Sequence, residues 1–299
     1  MRVFVTGATG FIGSAIVKEL IGAGHSVLGL TRSDEGAKAL EAAGAQVHRG
    51  TLEDLESLRS GVAASDGVIH TAFIHDFSKF QENCETDRRA IAAMGAALAG
   101  SNRPLIVTSG TGLGAYAPGE VAIETNVATS KTTHHPRVAS EEAAAALTAQ
   151  GINASIMRLP PSVHDKGDHG FVPILIGIAR EKGLSAYVGD GQNRWPAVHR
   201  LDAAHLYRLA LEKGISATYH AVGDAGIPTR QIAEVIGKHL NLPVVSVPAE
   251  EAPAHFGWFA GFFGSDVPAS AQITQERTGW QPTHIGLIAD LEQGHYFEG

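Results

Sequence analysis

Apolar positions along this chain follow two alternating rhythms. Short runs rich in Val, Ile and Leu stand at 2–5, 26–30, 45–48, 67–70, 104–109 and 153–158. Between them, 12–23, 34–43, 52–63, 84–99 and 137–150 carry apolar residues at helical spacing. Runs of four to six residues bounded by turn formers suit buried strands, and longer segments with a 3.6-residue period suit helices packed on a sheet. The alternation predicts parallel βαβ units: an α/β fold, a doubly wound parallel sheet of six strands with helices on both faces.

The rhythm weakens after Arg158. RLPPSVHDKGDHG brings prolines, glycines and charges together before the next helical stretch at 171–182. Later signals are a run at 196–199, a helix with Asp202 as N-cap ending near Lys213, a strand at 218–222 and a helix starting at Pro228. The last sixty or so residues read as short helices. The expected organisation is a dinucleotide-binding core over 1–165. Residues 166–299 are expected to form mostly a smaller C-terminal substrate lobe, with some segments returning to the core.

Composition narrows the partners. A formal net charge of −8 argues against non-specific nucleic-acid binding, which needs clustered cations, and favours a small-molecule substrate. The single cysteine, Cys84, cannot form an intrachain disulfide, and a buried packing role is expected for it. Only five residues precede the glycine-rich stretch, too few for a signal peptide's apolar region, and no run has the length of a membrane span. A cytoplasmic protein without membrane contact is expected.

TGATGFIG follows the first strand directly and opens the first helix, the context in which a glycine triplet carries meaning. Gly7 permits the tight turn, Gly10 lets backbone approach a pyrophosphate, and Gly13 lets helix pack on strand. Ala8, Thr9, Phe11 and Ile12 complete that cradle. At the end of the second strand a carboxylate would hold a ribose 2′-hydroxyl and repel a 2′-phosphate. Thr31, Arg32 and Ser33 stand there instead, and Arg32 and Ser33 can bind such a phosphate. NADP(H) is therefore expected over NAD(H).

With TGATGFIG, GTLED after strand three, IHTAF after strand four, IVTSGTG after strand five and the later WPAVHRLDAA, the chain resembles the extended short-chain dehydrogenase/reductase superfamily, of the epimerase/dehydratase type. The resemblance implies a Rossmann core. It places Thr51 and Leu52 at the adenine, Thr71, Ala72 and Phe73 on the phosphate–ribose side, and Leu159, Pro160, Pro161, Ser162 and Val163 beside the nicotinamide. Thr108, on the fifth strand, joins the cofactor contacts. In many such proteins the fourth and sixth helices form a dimer face, and alanine-rich 90–99 and 142–149 make a homodimer the expectation.

The family's usual catalytic pair is a tyrosine with a lysine four residues later. No tyrosine of this chain has a lysine at that spacing. Around the expected place stands THHPRVASEEAAAAL, where one register puts Arg137 and Glu141 at the pair and another puts Thr133 and Arg137 there. Asp87 stands where an asparagine is often found. The chain thus resembles the atypical branch.

If hydride moves, His134 or His135 is the natural proton donor, His135 being the chosen candidate, and Arg137 can stabilise an oxyanion. Ser109 and Thr111, just past the fifth strand, could polarise a carbonyl. Tyr116, His164, Arg194 and His199 are candidate substrate contacts. The His/Asp-rich stretch 164–169 reads first as solvated charge, then as substrate binding or loop gating, and only after these as a metal site, and no metal is expected. The leading expectation is an oxidoreductase acting on a small carbonyl or alcohol through a non-standard site. The alternatives are an epimerase or dehydratase, or a non-catalytic NADP(H) sensor.

Overall fold

The computed structural model describes residues 1–113 and 119–298, with the side chain of Phe77 left aside. Its N-terminal part runs β1 (Arg2–Thr6), α1 (Phe11–Gly22), β2 (Ser26–Thr31), α2 (Asp34–Ala42), β3 (Gln46–Arg49), α3 (Leu55–Ala63), β4 (Gly67–His70), α4 (Phe80–Ala96), β5 (Leu105–Gly110), α5 (Val138–Ala149) and β6 (Ala154–Leu159). Then follow β7 (Ser162–His164), α6 (Phe171–Lys182), β8 (Ser185–Val188), β9 (Arg194–His199), α7 (Arg200–Lys213), β10 (Thr218–His220), β11 (Asp224–Pro228), α8 (Thr229–Leu240) and β12 (Val244–Val247).

Seven parallel strands form the main sheet in the order β10-β6-β5-β4-β1-β2-β3. The order reverses between β1 and β4, and the crevice outside the strand ends at such a switch point is where open α/β sheets bind ligands. The central strands are buried on both faces: Val3, Phe4 and Val5 are inaccessible to solvent, as are Val68 and Ile69. One face buries α1 and α7 around Ile16, Leu20, Leu206 and Tyr207. The other buries α3, α4 and α5 around Leu58, Met94 and Leu147. Such a sheet reads as continuous apolar runs, which is why its strands were visible in sequence.

The alanines of α4 and α5 face one another inside the chain. Ala90, Ala93, Ala143 and Ala144 are buried, and a Cβ on Gly95 would lie 2.3 Å from the Leu147 side chain. Their small size serves this close approach. Cys84, also on α4, is buried, and burial pushes its thiol up to about 11.

Past β6 the chain builds two small sheets, β11-β9-β7 and β12-β8, over an aromatic cluster of Phe171, Trp195, Phe259, Phe262 and Phe263. Strands of three to five residues carry too little pattern to be separated from loops, so β7, β8, β11 and β12 are additions to the sequence reading. α7 starts at Arg200 with His199 as its N-cap, not at Asp202. Asp202 turns inward instead, where its carboxylate accepts from Thr283 N, His284 N and the His284 ring, all within 3.0 Å. No helix among the described residues is long and apolar enough to cross a membrane.

Candidate functional site

At the end of β1, Gly7 adopts φ +67°, a left-handed conformation suited to glycine, and a Cβ there would lie 2.7 Å from Ala72 N and Thr71 Oγ1. Gly10 N donates to Gly7 O at 2.9 Å, closing the turn. A Cβ on Gly13 would fall 2.0 Å from Gly7 O, so α1 can approach the turn this closely only with glycine. Gly10 caps α1 without any side-chain hydrogen bond, which leaves the first N–H groups of a twelve-residue helix facing outward. Ala8 is buried in the core while Thr9 is exposed, and Phe11 and Ile12 are half-buried. The result is a cradle that admits backbone-bound anions and no side chains.

Thr31 is buried at the end of β2, and Arg32 next to it is exposed. Among the described residues Arg32 has no ion-pair or hydrogen-bond partner. Ser33 caps α2, its Oγ accepting from Gly36 N at 3.0 Å, which leaves the hydroxyl hydrogen free to donate. The nearest acid, Asp34, is paired with Arg49 on β3 at 2.5 Å. The strand end therefore offers one uncommitted guanidinium and a capping serine to an anion. Leu52 is buried, and Thr51 Oγ1 accepts from Asp54 N at 3.3 Å. Thr71 Oγ1 donates to Thr6 O, and Ala72 N to Thr6 Oγ1. Leu159 ends β6, Pro160 is buried and Pro161 half-buried in the link to β7. Ser162 and Val163 lie on β7, and the buried Ser162 Oγ has no partner among the described residues, an open polar position for an incoming group.

These features fit a dinucleotide: a glycine cradle, an open helix end, an unpaired cation at β2 and an orphaned hydroxyl at β7.

The neighbouring corner, between β4, β5 and the start of α5, is built from charged side chains. Arg137 lies over Phe73, its Cζ 4.1 Å from the ring centroid. Its Nη1 donates to Asp87 and Ser140, and its Nη2 to Thr108 O. Of five guanidinium N–H groups, Nε–H and one Nη2–H have no hydrogen-bond partner among the described residues. Asp87 is fully buried: His70 Nε2 lies 2.9 Å from its Oδ1, and Ser140 Oγ donates to its Oδ2 at 2.5 Å. Burial raises the Asp87 carboxyl, but Arg137 and His70 outweigh it and hold the group well below the carboxylate range. His70 Nδ1 meets Thr6 Oγ1 at 2.7 Å, so the chain of contacts from Arg137 ends beside the glycine turn. Thr108 Oγ1 donates to His70 O and meets Tyr207 OH at 2.7 Å.

Glu141, one turn along, faces other partners. It accepts from Ser109 Oγ at 2.7 Å and from Arg158 Nε and Nη2 at 2.8 and 2.7 Å, with both side chains buried. Arg158 also donates to Asn126 O and meets His220 Nε2. Burial and this guanidinium keep His220 well below its ordinary pKa. The Ser109 hydroxyl hydrogen is thus committed to Glu141, and Thr111 is buried.

His135 stands before Arg137 with an exposed edge, its ring 5.5 Å from Phe80. Partial burial, then the Arg137 charge, lower its pKa, so near neutral pH the ring is uncharged. Its Nδ1 accepts from Arg137 N at 3.3 Å, which puts the ring hydrogen on Nε2. The His135 ring can accordingly donate a hydrogen bond through Nε2. His134 is exposed on the same segment.

The other sequence candidates scatter. His164 is buried with Nδ1 2.9 Å from Asp290, and its ring lies edge-on to His199 at 5.4 Å. His199 stacks on His284, and burial lowers its pKa. Both belong to a histidine–carboxylate cluster within the lobe. Arg194 grips Asp266 through Nε and Nη2 and donates to Gly119 O. Tyr116 lies outside the described residues. His70 and Arg158 were missed by sequence reasoning, because nothing local distinguishes a buried ion-pair partner from a surface charge.

Comparison with known proteins bears on this geometry. Residues 3–222 match the model of the NAD dependent epimerase/dehydratase family. A Schizosaccharomyces pombe protein of uncharacterised function is 52% identical over 298 residues, covering 99% of this chain and 100% of that protein. A 2-alkyl-3-oxoalkanoate reductase of Stenotrophomonas maltophilia is 30% identical over 226 residues, 71% of this chain and 66% of its own. Among solved structures, UDP-glucose 4-epimerase of Thermotoga maritima with UDP-glucose superposes at a TM-score of 0.77, covering 99% of this chain and 98% of that one at 19% identity. At that identity the likeness concerns the fold.

Proposed function

The chain belongs to the NAD dependent epimerase/dehydratase family, and from that premise we propose that it is an NADP(H)-dependent oxidoreductase acting on a small carbonyl or alcohol. The observation that carries this reading is Arg137: a guanidinium fixed on Phe73 and Asp87 at the sheet's carboxyl edge, with two N–H groups uncommitted among the described residues. NADP(H), when bound in the glycine cradle, supplies or accepts the hydride.

The chain's own residues do the remainder. A guanidinium cannot replace a phenol as proton donor, but Arg137 can hold the oxygen of a carbonyl as negative charge develops there. His135, neutral and protonated on Nε2, can donate a hydrogen bond to the same oxygen, as a neutral imidazole does elsewhere. The balancing proton is drawn from water at the exposed His135 edge. Arg32 and Ser33 would hold a 2′-phosphate, and Ser162 Oγ would meet the nicotinamide side. The similarity to a ketoacid reductase supports a carbonyl substrate.

The test is NADPH oxidation by the purified protein across aliphatic and aromatic aldehydes, ketones and 3-oxoacids. Turnover is expected, and Arg137→Ala should lower kcat by about 10²–10³, the usual cost of losing one oxyanion donor. Tight NADPH binding with no turnover anywhere in the panel would replace this reading with that of a non-catalytic NADP(H) sensor.

A further inference from the structure

The C-terminal part of the chain touches the glycine cradle through Phe11, the first residue of α1. Its ring is clasped between the Arg200 guanidinium, with Cζ 4.5 Å from the centroid, and the edge of His169 at 5.7 Å. Arg200 opens α7, so the N-termini of α1 and α7 meet across this ring. The cradle sequence from Thr6 to Gly13 contains neither Lys nor Arg. A dinucleotide's diphosphate brings two negative charges, against which a helix N-terminus offers the equivalent of about half a positive one. Arg200 is a cation placed beside that deficit.

Its present contacts leave it capacity. Nη2 donates to Asp165 Oδ2 at 2.8 Å, whereas Nε is buried and has no partner among the described residues. Asp165 is also held from elsewhere: its Oδ1 accepts from Lys166 N at 2.7 Å, its N donates to Tyr296 OH at 3.2 Å, and the His199 ring lies 3.6 Å away. The carboxylate therefore stays fixed while the longer arginine, stacked on Phe11, can turn its free edge toward an anion.

We propose that Arg200 is a pyrophosphate-binding residue, contributed to the cofactor turn from the start of α7 and restrained by Asp165 until the diphosphate arrives. This rests on the dinucleotide reading of the turn, but on neither the choice of NADP(H) over NAD(H) nor the catalytic role of Arg137. The guanidinium meets the diphosphate by a charge-assisted contact, and its plane is kept in place by the Phe11 ring.

Calorimetric titration of the full chain with ADP-ribose, NADH and NADPH at about 50 mM salt, where screening is modest, tests it. Arg200→Ala should weaken all three by about tenfold, the size of one charged hydrogen bond. Arg200→Lys should lose only part of this. Asp165→Asn should act in the opposite direction and tighten all three by about two- to fivefold, an outcome that simple damage to the loop cannot produce. The proposal is overturned if Arg200→Ala leaves ADP-ribose affinity within about twofold of wild type, or if Asp165→Asn weakens it. Should Arg200→Ala not fold, the Lys and Asn variants decide alone. Failure of the NADP(H) preference would show separately, as equal effects of Arg32→Ala on NADPH and NADH.

Discussion

The two halves of the sheet's carboxyl edge are made of different materials. At β1 and β2 the cradle is mostly backbone: Gly7, Gly10 and Gly13 act by lacking side chains, and the open end of α1 supplies the polarity. At β5 and α5 the corner is a dense set of side chains in which Asp87, His70, Arg137 and Ser140 satisfy one another, and Glu141 does the same with Ser109 and Arg158. The first kind of site tolerates no added atoms. The second tolerates no missing ones, since each buried charge is stable only through its partner.

That contrast can be broken by experiment, and Glu141→Ala is the strongest attempt. It strands the buried Arg158 guanidinium and should cost about 3–5 kcal/mol in urea denaturation. A loss below about 1 kcal/mol would mean the corner is not held by its charges. Gly13→Ala comes next: its Cβ meets Gly7 O, a backbone atom that cannot swing away, so NADPH and NADH affinity should both fall about a hundredfold or more, which is about 2.7 kcal/mol. Full binding by that variant would deny the cradle its close fit.

Arg32→Ala sharpens the comparison, because it alters the charge that the end of β2 brings to the cofactor half. NADPH affinity should drop about tenfold with NADH changed by no more than about twofold, as one charge-assisted contact predicts. The smallest effect is in pH dependence. Asp87 is held below its unfolded value of about 3.9, so the stability it contributes is present above about pH 5 and is lost progressively as pH falls from that unfolded value through the lower folded one. In Asp87→Asn the acid-side slope of unfolding free energy against pH should become shallower, by at most about 1.4 kcal/mol per pH unit. An unchanged slope would show that another carboxylate carries the acid limb.

Legibility followed the same division. The βαβ rhythm and the glycine turn were readable because their signals are local: a strand or helix shows its period within a dozen residues, and a turn needing φ +67° shows a glycine. Arg32 could be singled out because its position relative to a strand end carries the meaning. Arg137 was found as a candidate, but its environment was not. Asp87 lies fifty residues before it, and no periodicity links them. Ser109 looked available until Glu141 was seen to take its hydroxyl hydrogen.

Residue order by itself therefore determined the parallel α/β architecture, the cradle and the type of ligand that a backbone cradle admits, since these arise from the preferences of consecutive residues. Tertiary structure alone decided which charges are paired and which are free. Asp202 became an internal anchor for the 283–284 segment, His164 and His199 were drawn into the lobe, and Arg200 was brought onto Phe11. A charge's role depends on the few ångströms around it, where Coulomb energy and desolvation compete, and those neighbours arrive from distant parts of the chain.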